Sequence, residues 1–197
     1  MQKLKENQFV KDGLNIILFV VLVVVGVFII NSFIFRSFNV EGPSMEKTMY
    51  TGDKLIVNKL PVSWQHLQRQ EYIPDRGQVI VFKNPLFETM GRDEYIVKRV
   101  IGLPKEKVIV KNGEITVFNK TNPQGFNPDS RTPDKEGSPT TGDIEVTVPD
   151  NEIFVSGDHR DGNYSFDSRN GLGTVPIKNI EGPVGLRIFP FQHFRTF

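Results

Sequence analysis

The chain has 197 residues, 38% of them hydrophobic and 24% charged, enough to bury one ordinary core plus an appendage. A net charge of +1 lacks the basic excess that nucleic-acid binders gather on one face, so no nucleic-acid partner is expected. Cysteine is absent, which excludes disulfides, thiolate metal sites and cysteine nucleophiles; the three histidines, His66, His159 and His193, share no metal-ligand spacing. Neither a metal nor a cofactor is expected.

Residues 14–35 read LNIILFVVLVVVGVFIINSFIF, without a charge. As a helix this stretch covers about 33 Å at ~1.5 Å per residue, enough to cross a bilayer. It exceeds the ~7 to 15 apolar residues of a removable signal peptide, and no small-x-small cleavage pattern closes it. The expected organisation is a short cytoplasmic tail at 1–13, a transmembrane helix at 14–35 and a folded domain at 36–197. Lys3, Lys5 and Lys11 precede the span while Arg36 and Lys47 follow it, a bias that puts the N-terminus inside and the folded domain outside the cytoplasm.

Directly after the span comes FNVEGPSMEKTM, residues 38–49. Phe38 and Val40 alternate with polar neighbours as a strand does, and Gly42-Pro43 then turns the chain, presenting Ser44 at a bend. Ser44 follows Arg36 by at most ~27 Å of extended chain, so its hydroxyl stays close to the membrane surface. Taken alone, Gly-Pro-Ser is a common turn.

Downstream, short β-branched runs predict strands: 54–60, 78–83, 95–102, 107–118, 144–149 and 152–157. Asn112-Gly113 marks a hairpin inside the fourth. The segment 63–72 holds a helical turn or two, and 119–143, dense in Pro, Gly, Asn and Ser, reads as a surface loop or insertion. The fold class is therefore an all-β extracytoplasmic domain preceded by one N-terminal transmembrane helix.

A hydroxyl nucleophile needs a base. In YIVKRVIG, at 95–102, period two puts Lys98 with Ile96 and Val100, and Arg99 with Val97 and Ile101, one cation among apolar neighbours on each face. A lysine desolvated in this way loses preference for its charged form and can act as a general base. Lys83, sharing a face with Val79 and Val81, passes the same test, so periodicity leaves both open. Asp158, Arg160, Asp167 and Arg169 lie in the Gly-rich stretch 156–176, where paired opposite charges more often hold a loop together than perform chemistry. Phe189, Phe191, Phe194 and Phe197 crowd the C-terminus and suit either core closure or contact with lipid.

Together these blocks resemble the type I signal peptidases, bacterial membrane serine proteases with a Ser/Lys dyad. FNVEGPSMEKTM resembles the nucleophile box, GDKLIVNK at 52–59 and RGQVIVFKNP at 76–85 the strands after it, and YIVKRVIGLP at 95–104 the box whose first lysine is the base. SGDHRDGNYSFDSRNGLGTVP at 156–176 is similar to the GDNR…S.DSR segment, and RIFPF at 187–191 to the C-terminal end. The resemblance implies Ser44 as nucleophile and Lys98, not Lys83, as general base. It further implies the Ser44 N–H as an oxyanion donor, Ser165 as the serine that orients the base, and Asp158, Arg160, Asp167 and Arg169 as support. The implied partners are signal peptides of exported pre-proteins, the lipid bilayer and the secretion translocase. Departures from the pattern are Lys47, Lys105-Glu106, His159 in place of Asn, Gly42 two residues before the nucleophile, and a longer Arg160 to Ser165 spacing. The rival reading is a catalytically inactive membrane-anchored β domain acting in surface assembly.

Overall fold

The computed structural model describes residues 2–88, 91, 93–131 and 139–197. Helix α1 (Gln2–Ile29) passes directly into a π-helical turn, Ile30–Ile34. Within this unit Val10–Ile34 is long and apolar enough to cross a membrane, with mean hydropathy 3.1 in its most apolar window and none of that window buried among the described residues. Leu18, Phe19 and Phe28 are exposed on all sides of it, an arrangement costly in water and natural in hydrocarbon.

β1 (Phe35–Asn39) leaves the helix end, and β2 (Lys54–Asn58) runs back antiparallel to it, with Phe35 opposite Asn58 and Asn39 opposite Lys54. The return is closed by the Lys59 N–H, which donates to the Ile34 carbonyl at 2.8 Å. α2 (Leu60–Leu67) starts there, with Asn58 Oδ1 accepting the Leu60 N–H and Pro61 in the first turn, where its missing N–H costs nothing. This helix has about the two turns expected but starts at Leu60, before the segment 63–72. It also ends the strand at Asn58 rather than at residue 60. Leu60, Trp64 and Leu67 do recur at helical spacing, but they face away from the core.

β3 (Val79–Lys83), α3 (Pro85–Glu88) and β4 (Tyr95–Gly102) follow. β5 (Lys107–Lys111) and β6 (Glu114–Phe118) form the expected hairpin; Asn112 and Gly113 have φ of 53° and 84°, the left-handed values that a tight two-residue turn needs. β7 (Ile144–Thr147), β8 (Glu152–Ser156), β9 (Val175–Pro176), β10 (Ile180–Phe189) and β11 (Arg195–Thr196) complete the chain. The large sheet has the order β1-β2-β10-β3-β4-β8-β9, with β11 on β10, and β6-β5-β7 forms a second, smaller sheet.

Val79, Ile80, Val81 and Phe82 are all buried because both faces of the large sheet are covered. Ile80, Phe82, Val100 and Ile153 belong to one core. Met45, Met49, Val57, Val79 and Val81 belong to the other. A third cluster joins the two sheets through Ile101, Val108 and Phe154. Gly102 ends β4 at that junction, where a Cβ would lie 2.6 Å from Val108 Cγ2.

Of the stretch 119–143, residues 132–138 lie outside the described residues. The described flank is not wholly a surface loop: Phe126 bridges to Val117, and Asp129 and Thr140 are buried. Its composition concealed this, because Asp129 is polar and owes its burial to Arg160, 31 positions away.

Candidate active site

Ser44 sits on a loop fixed at both ends and from beneath. Val40 N–H donates to Asp53 O at 2.9 Å and Gly52 N–H to Val40 O at 3.0 Å, closing the loop's neck. Gly42, at φ 84°, makes the turn that a side chain would strain. Met45 and Met49 are completely buried and anchor the loop in the core. Arg187 on β10 donates to Thr48 O at 3.0 Å and Asp53 Oδ2 at 2.9 Å, and the His159 N–H donates to Ser44 O at 3.1 Å. Ser44 itself stays partly exposed, at the floor of a cleft of about 520 Å³ that Leu55, Val81, Ile96, Val97 and Tyr164 help to line.

Lys98 on β4 is 3% exposed, and its Nζ donates to Ser44 Oγ at 2.7 Å and to the Val97 carbonyl at 2.9 Å. Burial pushes its pKa from 10.5 down to about 8, against the pull of the Asp167 and Asp158 carboxylates and with a small contribution from Arg169 in the same direction as burial. Lys83 differs on every count. Its side chain is 39% exposed and bonded to Asp93 at 2.8 Å, and that hydrogen bond raises its pKa. The two lysines that periodicity left equivalent therefore occupy opposite environments, and only Lys98 touches the serine.

The charged residues of 156–176 are placed as follows. Asp158 receives Arg99 of β4 through two bonds, 2.7 and 2.6 Å, and the Thr48 hydroxyl at 2.5 Å, which ties the serine loop to β4. Arg160 reaches out of its own segment to Asp129, at 2.6 and 2.7 Å, and donates Nε–H to Gly157 O. Asp167 is wholly buried and accepts from Ser165 Oγ at 2.6 Å, the Gly157 N–H at 2.9 Å and Arg169 at 2.7 Å. Burial opposes the Asp167 charge, but the bonds and charge of Arg169, with those from Ser165 and Gly157, hold its carboxyl below the usual carboxylate range. Ser165 thus spends its hydroxyl proton on Asp167, while Lys98 donates to Ser44 and Val97. His159 stacks on Tyr164, ring centroids 4.5 Å apart.

Four participants were given no role in the sequence reading of the site: Thr48, Asp129, Gly157 and, in its pairing, Arg99. Arg99 left a trace, as a cation among apolar neighbours. Gly157 gave no local signal, yet a Cβ there would lie 2.2 Å from both Ser165 Oγ and Ser44 O.

A buried amine lowered toward neutrality and bonded to a hydroxyl in an open cleft is equipped for nucleophilic acyl transfer. The family model described as signal peptidase, peptidase S26, matches residues 13–189. Signal peptidase I of Bacillus amyloliquefaciens is 34% identical over 180 residues, 89% of this chain and 88% of that relative. Signal peptidase I S of Bacillus subtilis (strain 168) is 33% identical over 181 residues, 89% of each chain, and signal peptidase I T of the same strain 32% identical over 197, 98% of this chain and 92% of its own. A solved signal peptidase I from Enterococcus faecalis V583 aligns at 27% identity with a TM-score of 0.40, covering 56% of this chain and 95% of that one. The chain belongs to the signal peptidase family, peptidase S26.

Proposed function

We propose that this hydrolase removes signal peptides from exported pre-proteins with Ser44 as nucleophile and neutral Lys98 as general base. Ser44 Oγ attacks the scissile carbonyl as Lys98 Nζ takes its proton, and the tetrahedral oxyanion is met by the Ser44 N–H. The C–N bond then breaks, Lys98 returns the proton to the leaving amine, and an acyl ester remains on Ser44. Water attacks that ester with Lys98 again accepting a proton, releasing the signal peptide and restoring the hydroxyl. Ser165 orients the base, its own hydroxyl fixed by the Asp167 carboxylate; Asp158, Arg160, Asp167 and Arg169 hold the surrounding loops. The observation that carries the reading is the 2.7 Å contact between Ser44 Oγ and an amine that burial lowers to about 8.

The substrates are signal peptides with small residues at the first and third positions before the cut, because narrow subsites exclude large side chains. An apolar helix that fits a membrane anchor precedes the domain. With the N-terminus cytoplasmic, the cleft lies on the outer side, where a pre-protein emerges from the secretion translocase.

The test is a pre-protein given to the purified full chain. One cut next to a small residue is expected, and Ser44→Ala or Lys98→Ala should each lower its rate at least ~1000-fold. Full activity in Lys98→Ala would remove the dyad while leaving the enzyme class standing.

A further inference from the structure

We propose that α2 is an interfacial helix, with Leu60, Trp64 and Leu67 seated in the headgroup layer of the same bilayer that the N-terminal helix crosses. The proposal rests on the membrane-anchor reading and adds a second, peripheral contact to it.

Three observations converge on this occupant. The first is topology: β1 leaves the span and β2 comes back along it, so the residue after β2 must arrive where the chain left the membrane. Two bonds fix that arrival, Lys59 N–H to Ile34 O at 2.8 Å and Ser63 Oγ to Phe33 O at 2.9 Å. The second is depth. The 20 α-helical residues Val10–Ile29 alone rise about 30 Å at ~1.5 Å each, the thickness of the hydrocarbon, so the π-helical turn beyond them, which holds α2, reaches the polar layer.

The third is the face presented. Leu60, Trp64 and Leu67 fall at i, i+4 and i+7, one stripe of the helix, and are 47%, 60% and 76% exposed. The buried residue of α2 is Val62, so its apolar face points away from the protein core. Phe33, on the π-helical turn, is exposed beside it, and a groove of about 920 Å³ runs between the two. In water this stripe is a liability. In the headgroup layer tryptophan and leucine are the residues expected, the indole keeping its N–H toward water. Lys59 and Lys83 at the groove's rim are already paired with Glu181 and Asp93, so the contact is driven by apolar burial and needs no anionic lipid.

Trp64 is the single tryptophan of the chain, so the native protein carries its own reporter. Full-length protein is reconstituted into phosphatidylcholine vesicles with iodide on both sides. The expected Trp64 emission is blue-shifted, shielded from iodide, and quenched more by lipids brominated near the carbonyl end of the acyl chain than near its far end. Leu60→Ser/Leu67→Ser, which alters outward-facing positions only, should shift the emission to the red and restore iodide quenching. A red, iodide-accessible Trp64 unaffected by brominated lipid overturns the proposal, and so does stronger quenching from the far end or an unchanged double variant. Extraction of the protein from the vesicles by alkaline carbonate separates the cases: release overturns the membrane anchor itself, whereas retention with an exposed Trp64 overturns the interfacial helix alone.

Discussion

Lys98 and Arg99 are adjacent on β4 and both buried, yet their charges are accommodated in opposite ways. Arg99 meets the Asp158 carboxylate through two bonds, whereas Lys98 meets a hydroxyl and a carbonyl. Arginine stays charged in any protein environment and must be given a counterion; lysine can give up its proton instead. The proposed base is therefore the cation of the pair that can be unprotonated.

It follows that kcat/KM rises with pH and levels off above about 8, where Lys98 becomes neutral. Below that value the rate should fall ~tenfold per pH unit, since only the unprotonated amine can accept the Ser44 proton. Lys98→Arg, unable to deprotonate, should be inactive at every pH. A profile of kcat/KM against pH on a pre-protein checks both, and a flat profile from 6 to 9 would exclude Lys98 as the titrating base.

The same burial predicts a stability effect with a definite sign. In the unfolded chain the Lys98 amine titrates near 10.5 and in the folded one near 8, so between those values the unfolded state binds more protons and stability rises with pH. Below 8 both states are protonated, and folding carries a constant cost of about 3 kcal/mol for the buried charge. Lys98→Met removes that cost and loses two hydrogen bonds worth ~1 kcal/mol each, a smaller sum. The variant should therefore melt higher than wild type at pH 7, by a few degrees at ~2 to 4 °C per kcal/mol, and lose this advantage as the pH approaches 10.5. Thermal unfolding at the two pH values measures it.

Much of the sheet was legible because strands here alternate or run apolar between turn residues: YIVKRVIG coincides with β4, and Asn112-Gly113 with the turn between β5 and β6. The serine loop was legible through Gly42-Pro43. Pairings were not. Arg99 finds Asp158 59 positions away and Arg160 finds Asp129 31 positions away, and no local pattern encodes a partner at such separation. The choice between Lys98 and Lys83 was hidden for a related reason, since β3 and β4 have apolar residues on both faces and period two cannot say which end of a strand meets solvent. The start of α2 was missed because Leu60 closes the apolar run that reads as a strand over 54–60.

Asp167 couples this architecture to the proposed base. Its carboxylate favours the protonated form of Lys98, so Asp167→Asn should move the ascending limb of the pH profile to lower pH. The substitution also leaves the Arg169 guanidinium, whose side chain is 3% exposed, without its counterion, at a cost on the order of 3 to 5 kcal/mol. Loss of stability alone would accompany any structural role. The acid displacement of the limb is the specific outcome, and a limb that stays in place would detach Asp167 from the electrostatics of Lys98.

Gly157 lies between the serine loop and the Asp167 segment. A Cβ on it would lie 2.2 Å from Ser44 O, 2.2 Å from Ser165 Oγ and 2.8 Å from Ser165 Cβ. None of these can yield easily, because Ser165 Oγ is held by Asp167 at 2.6 Å and Ser44 O accepts the His159 N–H at 3.1 Å. In Gly157→Ala the backbone of Ser44 must therefore retreat by close to an ångström, carrying its hydroxyl away from Lys98. Displacements of that size cost ~100-fold in rate, while overpacking costs only ~1 to 3 kcal/mol of stability. The loss should appear in kcat/KM out of proportion to any change in Tm. Gly185→Ala is the matched control, since its Cβ would meet only Ile56 O, at an ordinary 3.7 Å, and cleavage should proceed at the wild-type rate. Equal rates for Gly157→Ala and wild type would mean that Ser44 does not depend on this contact for its position.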